Sequence, residues 1–308
     1  MSVLFFKPIP RPAIWGKTLV RDYFGYNDFP VGIGQSWSFS AQKDASTICA
    51  TAPYEGQTLY DLWNNHQELF GHPGEDFPVI ISLVGPEDDL SIQVHPDAKY
   101  AKQLGLPSGK NEAWYFIDSK PGANIVYGHK AISKEDLYNY INNNKWDDLI
   151  KHLEVHTGDF VYLPAGLLHA LRKGSIVYEI QQAVDITYRF YDYHRKDNNG
   201  NERELHLQQA IDCLSYNQKD MVNNIHPVVT NLNCGKQTVY ISNESFTVTK
   251  LEIDGENEYF TDNYQLATVV KGKGKVDGEN IKLGDSFLIP QNTKIKLSGH
   301  MTIMMTTK

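Results

Sequence analysis

The chain has 308 residues, of which 41% are hydrophobic and 21% charged, a balance typical of a globular protein that can bury a core. This composition excludes disorder as the main state, and the length of about two ordinary domains predicts two domains or one large β domain with additions. The net charge of −8, without any block of basic residues, argues against sequence-independent electrostatic binding to nucleic acid phosphates or to an acidic membrane.

The predicted elements are mainly short strands, because alternating runs rich in aromatic and β-branched residues recur between turn signals. The chain also contains three predicted helices, and the longest begins at Ser133, a typical N-cap residue. Because that helix interrupts a β region, we interpret it as an insertion on a β scaffold. In chain order, helices are predicted over 58–65, 133–152 and 205–214, and strands over 78–84, 90–94, 113–117, 124–127, 160–163, 176–181, 186–191, 239–242, 246–253, 265–270, 286–289 and 301–306.

A weak internal repeat predicts two β units. Residues 158–164 and 284–290 share the order Gly-Asp, four residues with large hydrophobic side chains, and Pro. Each copy is typical of a turn, a short strand and a second turn, since Gly allows unusual dihedral angles and Pro ends strand pairing. The fold class is therefore predicted to be mainly β, with two jelly-roll barrel units. The first spans 1–230 with the helical insertion near 131–152, the second spans 231–308, and a polar linker zone covers 217–234.

Four polar side chains in the first unit form a predicted metal site. Gln93 and His95 share one face of a strand, Glu112 lies on another, and His169 follows a tight turn. Any one of them alone is typical of a hydrogen-bonded core or surface residue, but together they offer the oxygen and nitrogen ligands that suit a borderline divalent ion such as zinc. The repeat aligns His169 with Ile295, so a single ion in the first unit is expected.

Two other motifs are interpreted as structural. His152 and His156 stand four residues apart, but the chain runs on into the turn at Gly158, which favours a solvated helix end over a pair of ligands. The glycine and lysine alternation over 271–275 lacks the strand, loop and helix order of a phosphate loop and is predicted to be a hairpin turn.

The motifs around these residues resemble the type I mannose-6-phosphate isomerases, in particular the short bacterial form, which are cupins. The resemblance covers most of the chain. Two positions depart from the common family pattern, with Gln35 where Glu is usual and Ser82 where Lys is usual. The motifs that carry the resemblance are Ile14-Trp-Gly16, Leu90-Ser-Ile-Gln-Val-His-Pro-Asp97, Gly109-Lys-Asn-Glu-Ala-Trp-Tyr115, Gly158-Asp-Phe-Val-Tyr-Leu-Pro-Ala-Gly166 with His169, Glu179-Ile-Gln-Gln182, Asp185-Ile-Thr-Tyr-Arg-Phe-Tyr-Asp-Tyr193 and Arg203-Glu-Leu-His206.

The resemblance implies a zinc-dependent enzyme that interconverts mannose 6-phosphate and fructose 6-phosphate through an enediol. It implies that His95, Glu112 and His169 hold the zinc with Gln93 as fourth ligand. It makes Arg189 the active-site arginine, available to a developing oxyanion or to the phosphate, and it matches Ser91 and Lys110 to active-site positions. Asp185 is expected to orient the arginine or the sugar hydroxyls. The general base stays open among Lys110, Glu112 and a metal-bound water.

The alternatives are a non-catalytic cupin that binds sugar phosphates and another hexose-phosphate isomerase or epimerase. Arg189 together with Lys110 favours the enzyme, because a binding module needs no second polar group facing the metal. The three cysteines form no CxxC pair, and the apolar start of the chain is too short for a signal peptide, so a soluble cytoplasmic protein with a hexose phosphate as its small-molecule partner is expected.

Overall fold

The structure is a computed structural model that describes residues 3–71, 74, 76–196, 199–217 and 223–308. Within these ranges, no helix has both the length and the apolar character needed to cross a membrane. The helices are α1 (Leu19–Phe24), α2 (Leu59–Asn65), α3 (Ala98–Gln103), α4 (Lys134–Asn142), α5 (Trp146–Leu149) and α6 (Leu207–Cys213), with a short 3-10 turn at Gln67–Leu69.

Strands make up most of the regular structure, as predicted for the mainly β class. They are β1 (Leu4–Lys7), β2 (Ile9–Lys17), β3 (Ile33–Phe39), β4 (Ala41–Gln42), β5 (Ala45–Ser46), β6 (Ile48–Cys49), β7 (Val79–Val84), β8 (Ile92–Val94), β9 (Glu112–Ser119), β10 (Asn124–His129), β11 (Ile150–Glu154), β12 (Phe160–Leu163), β13 (His169–Ala170), β14 (Ser175–Gln182), β15 (Tyr188–Tyr191), β16 (Val228–Leu232), β17 (Gly235–Ser242), β18 (Thr247–Thr261), β19 (Gln265–Val276), β20 (Glu279–Lys282), β21 (Ser286–Ile289) and β22 (Thr293–Thr307).

Two sheets in the first part of the chain enclose one hydrophobic layer. The six-stranded sheet has the order β12-β9-β14-β7-β3-β2, and the five-stranded sheet has the order β11-β10-β13-β8-β15. Their shared core contains Trp114 and Val177 from the first sheet and Ile125 from the second. Polar residues at the same interface therefore come from strands distant in sequence, and this places the site described below.

A nine-stranded sheet covers the other face of the six-stranded sheet. Its order is β16-β17-β18-β22-β19-β21-β1-β6, with β20 paired to β19. The largest core cluster joins Tyr178 and Ile81 of one sheet to Phe246 and Tyr264 of the other. Helices α4 to α6 cover the outer face of the five-stranded sheet, where Leu137 packs with residues of β8 and β15.

The two copies of the repeat form the same turn. Gly158 and Gly284 have φ of 95° and 91°, a region that favours glycine. In the first copy the Asp159 carboxylate accepts the His156 N–H at 2.7 Å, and in the second Asp285 accepts the Lys282 N–H at 2.8 Å. The strands that follow, β12 and β21, have the predicted bounds.

Several predicted elements need correction. The helix predicted over 133–152 consists of α4 and α5 and ends at Leu149, because Ile150 to Glu154 alternate in burial and pair with β10. His152 therefore lies in a strand, not at a helix end. Residues 271–275 are part of β19 rather than a hairpin turn, and the turn follows Val276.

The nine-stranded sheet contains strands from both ends of the chain. Residue 230 lies inside β16, and β1 at the start of the chain pairs with β21 of the same sheet. Residues 218–222 of the predicted linker zone lie outside the described residues.

Candidate metal centre

Two histidines and one glutamate from different strands meet between the five- and six-stranded sheets. His95 follows β8, Glu112 begins β9, and His169 begins β13. The turn at Gly166 (φ 85°) brings the two histidines together, since the Gly166 N–H donates to the His95 carbonyl at 2.9 Å. Glycine suits this position because its φ is positive.

The ligand atoms of these residues lie within 4.8 Å of one another, and all three side chains are buried. The Glu112 carboxylate lies between the rings, with Oε1 3.2 Å from His95 Nε2 and Oε2 3.3 Å from His169 Nε2. Among the described residues, His95 Nε2, His169 Nε2 and Glu112 Oε2 have no partner in hydrogen-bond geometry. Buried polar atoms are almost always satisfied, so this arrangement fits a group that could hold a metal ion.

The protonation of the cluster also suits a cation. His169 Nδ1 lies 2.9 Å from the Leu167 carbonyl oxygen, and a proton donated there leaves Nε2 with a free lone pair facing the cluster. Burial, followed by the charge of Lys110, lowers the pKa of His95 to about 4, so its ring is neutral at pH 7. Burial alone would raise the pKa of Glu112, but the positive charge of Lys110 holds it well below its ordinary value.

Lys110 is the buried cation beside this cluster. Its Nζ lies 3.0 Å from Glu112 Oε1, and its side chain is 4% exposed. A β-carbon on Gly109 would lie 2.6 Å from the Ala98 nitrogen, so glycine allows this loop to pack against the residues after His95. The Lys110 N–H donates to the Pro96 carbonyl at 3.0 Å and fixes the lysine next to the metal cluster.

A cavity of about 170 Å³ opens onto Glu112 and Lys110. It brings together all the other predicted site residues: Gln93 and Ser91 from the β8 segment, Arg189 from β15, and Asp185 from the loop before it. Gln93 is paired with both His169 and Arg189 in strand register, and so connects the metal cluster with the arginine. The individual roles of these residues stay predictions.

Sequence analysis did not assign a role to Glu179, which also lines the cavity. Its Oε1 accepts the Trp114 Nε1–H at 2.8 Å, and its Oε2 accepts the Ser82 hydroxyl at 3.2 Å. Burial, followed by the charge of Glu112, raises the pKa of Glu179 to about 7. The signal in the sequence was the polar pair Glu179 and Gln181, two residues apart in a strand whose other central residues are hydrophobic.

The two residues that depart from the family pattern and one further arginine lie in or next to the same cavity. Gln35 lines it directly, whereas Ser82 acts through its hydrogen bond to Glu179. Arg203 lines the cavity beside Arg189 although it lies on a separate segment that follows β15 by several residues.

Comparisons with known proteins agree along the whole chain. The family model described as phosphomannose isomerase type I, catalytic domain, matches residues 4–126, and that described as mannose-6-phosphate isomerase, cupin domain, matches residues 236–308. The chain is 37% identical over 308 residues to mannose-6-phosphate isomerase ManA of Bacillus subtilis strain 168, covering 96% of each chain. It is 36% identical to the mannose-6-phosphate isomerase of Streptococcus mutans over 94% of this chain and 93% of that one. The crystal structure of the mannose 6-phosphate isomerase from Bacillus subtilis matches with a TM-score of 0.94 and 37% identity, covering 100% of both chains.

Proposed function

The chain belongs to the type I phosphomannose isomerases, isomerases that act on mannose 6-phosphate, and we propose that it catalyses proton transfer between C1 and C2 through an enediol with one zinc ion. The observation that carries the mechanism is the buried cluster of His95, Glu112 and His169 at the end of a polar cavity. The product of the forward reaction is fructose 6-phosphate.

The donor set supports zinc as the ion. Two neutral imidazole nitrogens and one carboxylate are donors that zinc accepts, and the Gln93 amide oxygen is the proposed fourth ligand. A bound zinc ion would act as a Lewis acid that favours negative charge developing on the sugar. Because only Glu112 among these ligands is charged, the site would keep a net positive charge.

Glu179 is the proposed general base. It is a carboxyl group that lines the cavity without belonging to the metal cluster, and its pKa of about 7 suits both taking up and returning a proton at neutral pH. Of the three candidates left open above, Glu112 faces both histidines and Lys110 is paired with Glu112, so both are engaged elsewhere. A metal-bound water is the alternative to Glu179. The Trp114 and Ser82 hydrogen bonds would keep the carboxylate of Glu179 in one orientation.

The remaining side chains would bind and orient the substrate. The guanidinium of Arg189 is a permanently charged planar donor toward a developing oxyanion. Lys110 has ammonium protons beyond the one facing Glu112 and would donate to a sugar oxygen near the metal. The Ser91 hydroxyl and the Asp185 carboxylate, both on the cavity wall, would contact sugar hydroxyls.

We also propose that the fold consists of two cupin units of unequal function, 1–230 with the helical insertion near 131–152 and 231–308. The matched turns at Gly158 and Gly284 support the repeat, and alignment of the two copies sets Ile295, a residue of β22, against His169. The second unit is therefore expected to be metal-free. A cytoplasmic location is proposed as well, and it is supported by three cysteines that are all free thiols.

One assay tests the function. Purified protein is assayed for conversion of mannose 6-phosphate to fructose 6-phosphate while metal content is measured on the same sample. We expect about one zinc ion per chain, loss of activity after treatment with a chelator, and recovery on adding zinc. Full turnover by protein shown to be free of metal would contradict the mechanism, and two tightly bound ions that are both needed would contradict the single site.

A further inference from the structure

We propose that Arg203 binds the phosphate group of the substrate and that Asp192 is a positioning residue that holds the Arg203 guanidinium toward the cavity. This inference rests on the proposed function, because it concerns the other end of the same substrate. Neither residue belongs to the metal cluster, and the assignment follows from the contacts around Asp192.

Asp192 is a buried carboxylate, 4% exposed, that holds Arg203 in a bidentate pair. The Arg203 Nε donates to Oδ2 at 2.8 Å, and Nη2 donates to Oδ1 at 2.7 Å. Two parallel hydrogen bonds fix the plane of the guanidinium. The Nη1 group takes no part in this pair, and the Arg203 side chain remains 25% exposed, so it can donate to an anion in the cavity that it lines.

The backbone segment that carries Arg203 lies one strand farther from Gln93 than β15 does. His169, Gln93 and Arg189 are register neighbours on β13, β8 and β15. The segment that carries Arg203 follows next, because the His206 N–H donates to the Arg189 carbonyl at 2.9 Å. Two strand spacings, roughly 10 Å, therefore separate this segment from Gln93, a span comparable to an open-chain hexose phosphate. With C1 and C2 at the metal cluster, the C6 phosphate would reach Arg203.

The positive charges on this wall of the cavity favour the binding of an anion. Arg189 and Arg203 both line this cavity. Burial and then the positive charge of Arg203 lower the pKa of Arg189. In the part of the chain that the structure describes, Arg189 forms no ion pair with a carboxylate, and its Nη1 donates only to the Glu204 carbonyl at 3.4 Å. Asp192 meets both Arg203 and Arg195, so one carboxylate faces two guanidinium charges, and Arg189 adds a third positive charge nearby. A dianionic phosphate at Arg203 would compensate this excess, whereas a neutral sugar would not.

The competing explanation is that Asp192 has only a structural role, in which its ion pairs with Arg195 and Arg203 stabilise the segment between β15 and Arg203. Arg195 offers a matched control for this explanation. It contacts the same Oδ1 of Asp192 and also donates to the Asp89 carbonyl, but it does not line the cavity. A purely structural role of Asp192 predicts similar effects from the loss of either arginine.

The experiment compares Arg203→Ala, Arg203→Lys, Asp192→Asn and Arg195→Ala in the zinc-loaded enzyme. We measure KM and kcat for mannose 6-phosphate and the inhibition constant of inorganic phosphate. Losing a charged hydrogen-bond donor should raise KM and the phosphate inhibition constant roughly 10- to 100-fold in Arg203→Ala, with kcat nearly unchanged. Arg203→Lys should fall between this variant and the wild type, since an ammonium lacks the planar fork. Asp192→Asn should raise both constants by several-fold, and Arg195→Ala should change neither.

Unchanged constants in Arg203→Ala, or equal increases in Arg195→Ala, overturn the proposal. So does a fall in kcat without a change in KM, which would assign Arg203 to the reacting end. If the wild-type protein has no isomerase activity, the proposed function fails, but calorimetric binding of mannose 6-phosphate and of inorganic phosphate to the same variants still decides the role of Arg203.

Discussion

Lys110 and Glu112 form an ion pair of 3.0 Å in which the two side chains are 4% and 2% exposed. A buried pair of this kind is weak evidence for stability, because desolvation of two charges offsets much of their attraction. Its position matters more, since the ammonium lies beside the carboxylate that faces both histidines. A positive charge there would oppose a bound cation, so we expect the lysine to have a role other than holding the metal.

Lys110→Met tests that role. Removing the ammonium should leave zinc affinity equal or higher, because a repulsive charge is lost while the cation itself compensates Glu112. Activity should fall about 100-fold or more if Lys110 donates to the substrate in the transition state. Zinc affinity by chelator competition and kcat are measured on the same protein, with Lys102→Met on α3 as an exposed control. Loss of zinc and activity together would show that Lys110 is needed to build the metal site.

His169→Ala tests the metal cluster itself. Losing one of the three buried ligands should lower zinc content and turnover in parallel, since the remaining ligands are left misaligned. His156→Ala is the matched control, because His156 is 68% exposed on the surface. Zinc content by elemental analysis and kcat decide the outcome. An alanine variant that keeps full zinc and full turnover would remove His169 from the ligand set.

Local patterns predicted most of the strands after residue 78 but none of β1 to β6, and so they missed the edge of the six-stranded sheet. The strand β2 contains Pro10 and Pro12, residues that usually argue against a strand. They are tolerated because β2 lies at the sheet edge and its register with β3 shifts on both sides of Pro12. The pairing of β1 with β21 is equally invisible to a local pattern, since it joins residues about 280 positions apart in the chain, such as Leu4 and Leu288.

The residues of the candidate metal cluster carry a signal in the local sequence, whereas Glu179 does not. His95, Glu112 and His169 each lie next to turn signals and belong to residue types that bind metals. Glu179 is defined by its neighbours across the sheet, with Trp114 on β9 and Ser82 on β7 in register on either side. Its raised pKa depends on that burial and on the charge of Glu112, which no local pattern reveals.

Glu179→Gln tests the pH dependence that this environment predicts. In metal-free protein the pKa of Glu179 is about 7, above its ordinary value of about 4.3, so the folded state binds more protons between these values. Stability should therefore fall as pH rises from about 5 to 8, and the glutamine variant should escape this loss. Relative to wild type, we expect the free energy of unfolding of the glutamine variant to be higher by on the order of 1–3 kcal/mol at pH 8 and nearly the same at pH 5.

Urea unfolding of chelator-treated protein at both pH values measures this difference, with the exposed Glu154→Gln on β11 as control. In the zinc-loaded enzyme the same Glu179→Gln change should lower kcat at least 100-fold, because an amide cannot accept the proton. A stability difference that is constant between pH 5 and 8 would contradict the raised pKa. Unchanged turnover would return the base to Lys110, Glu112 or a bound water.

Arg189→Ala separates catalysis from binding at the reacting end. Arg189 is the register neighbour of Gln93, so it lies one strand from the β8 segment that leads to His95, and it lines the same cavity as Glu112. If it stabilises charge that develops only in the transition state, kcat should fall roughly 100-fold or more, the scale of a lost oxyanion donor. Zinc content should not change, because Arg189 is not a ligand, and Arg189→Lys should restore only part of the rate. A higher KM with an intact saturated rate would instead make Arg189 a uniform binding contact, and both guanidinium groups would then belong to the phosphate.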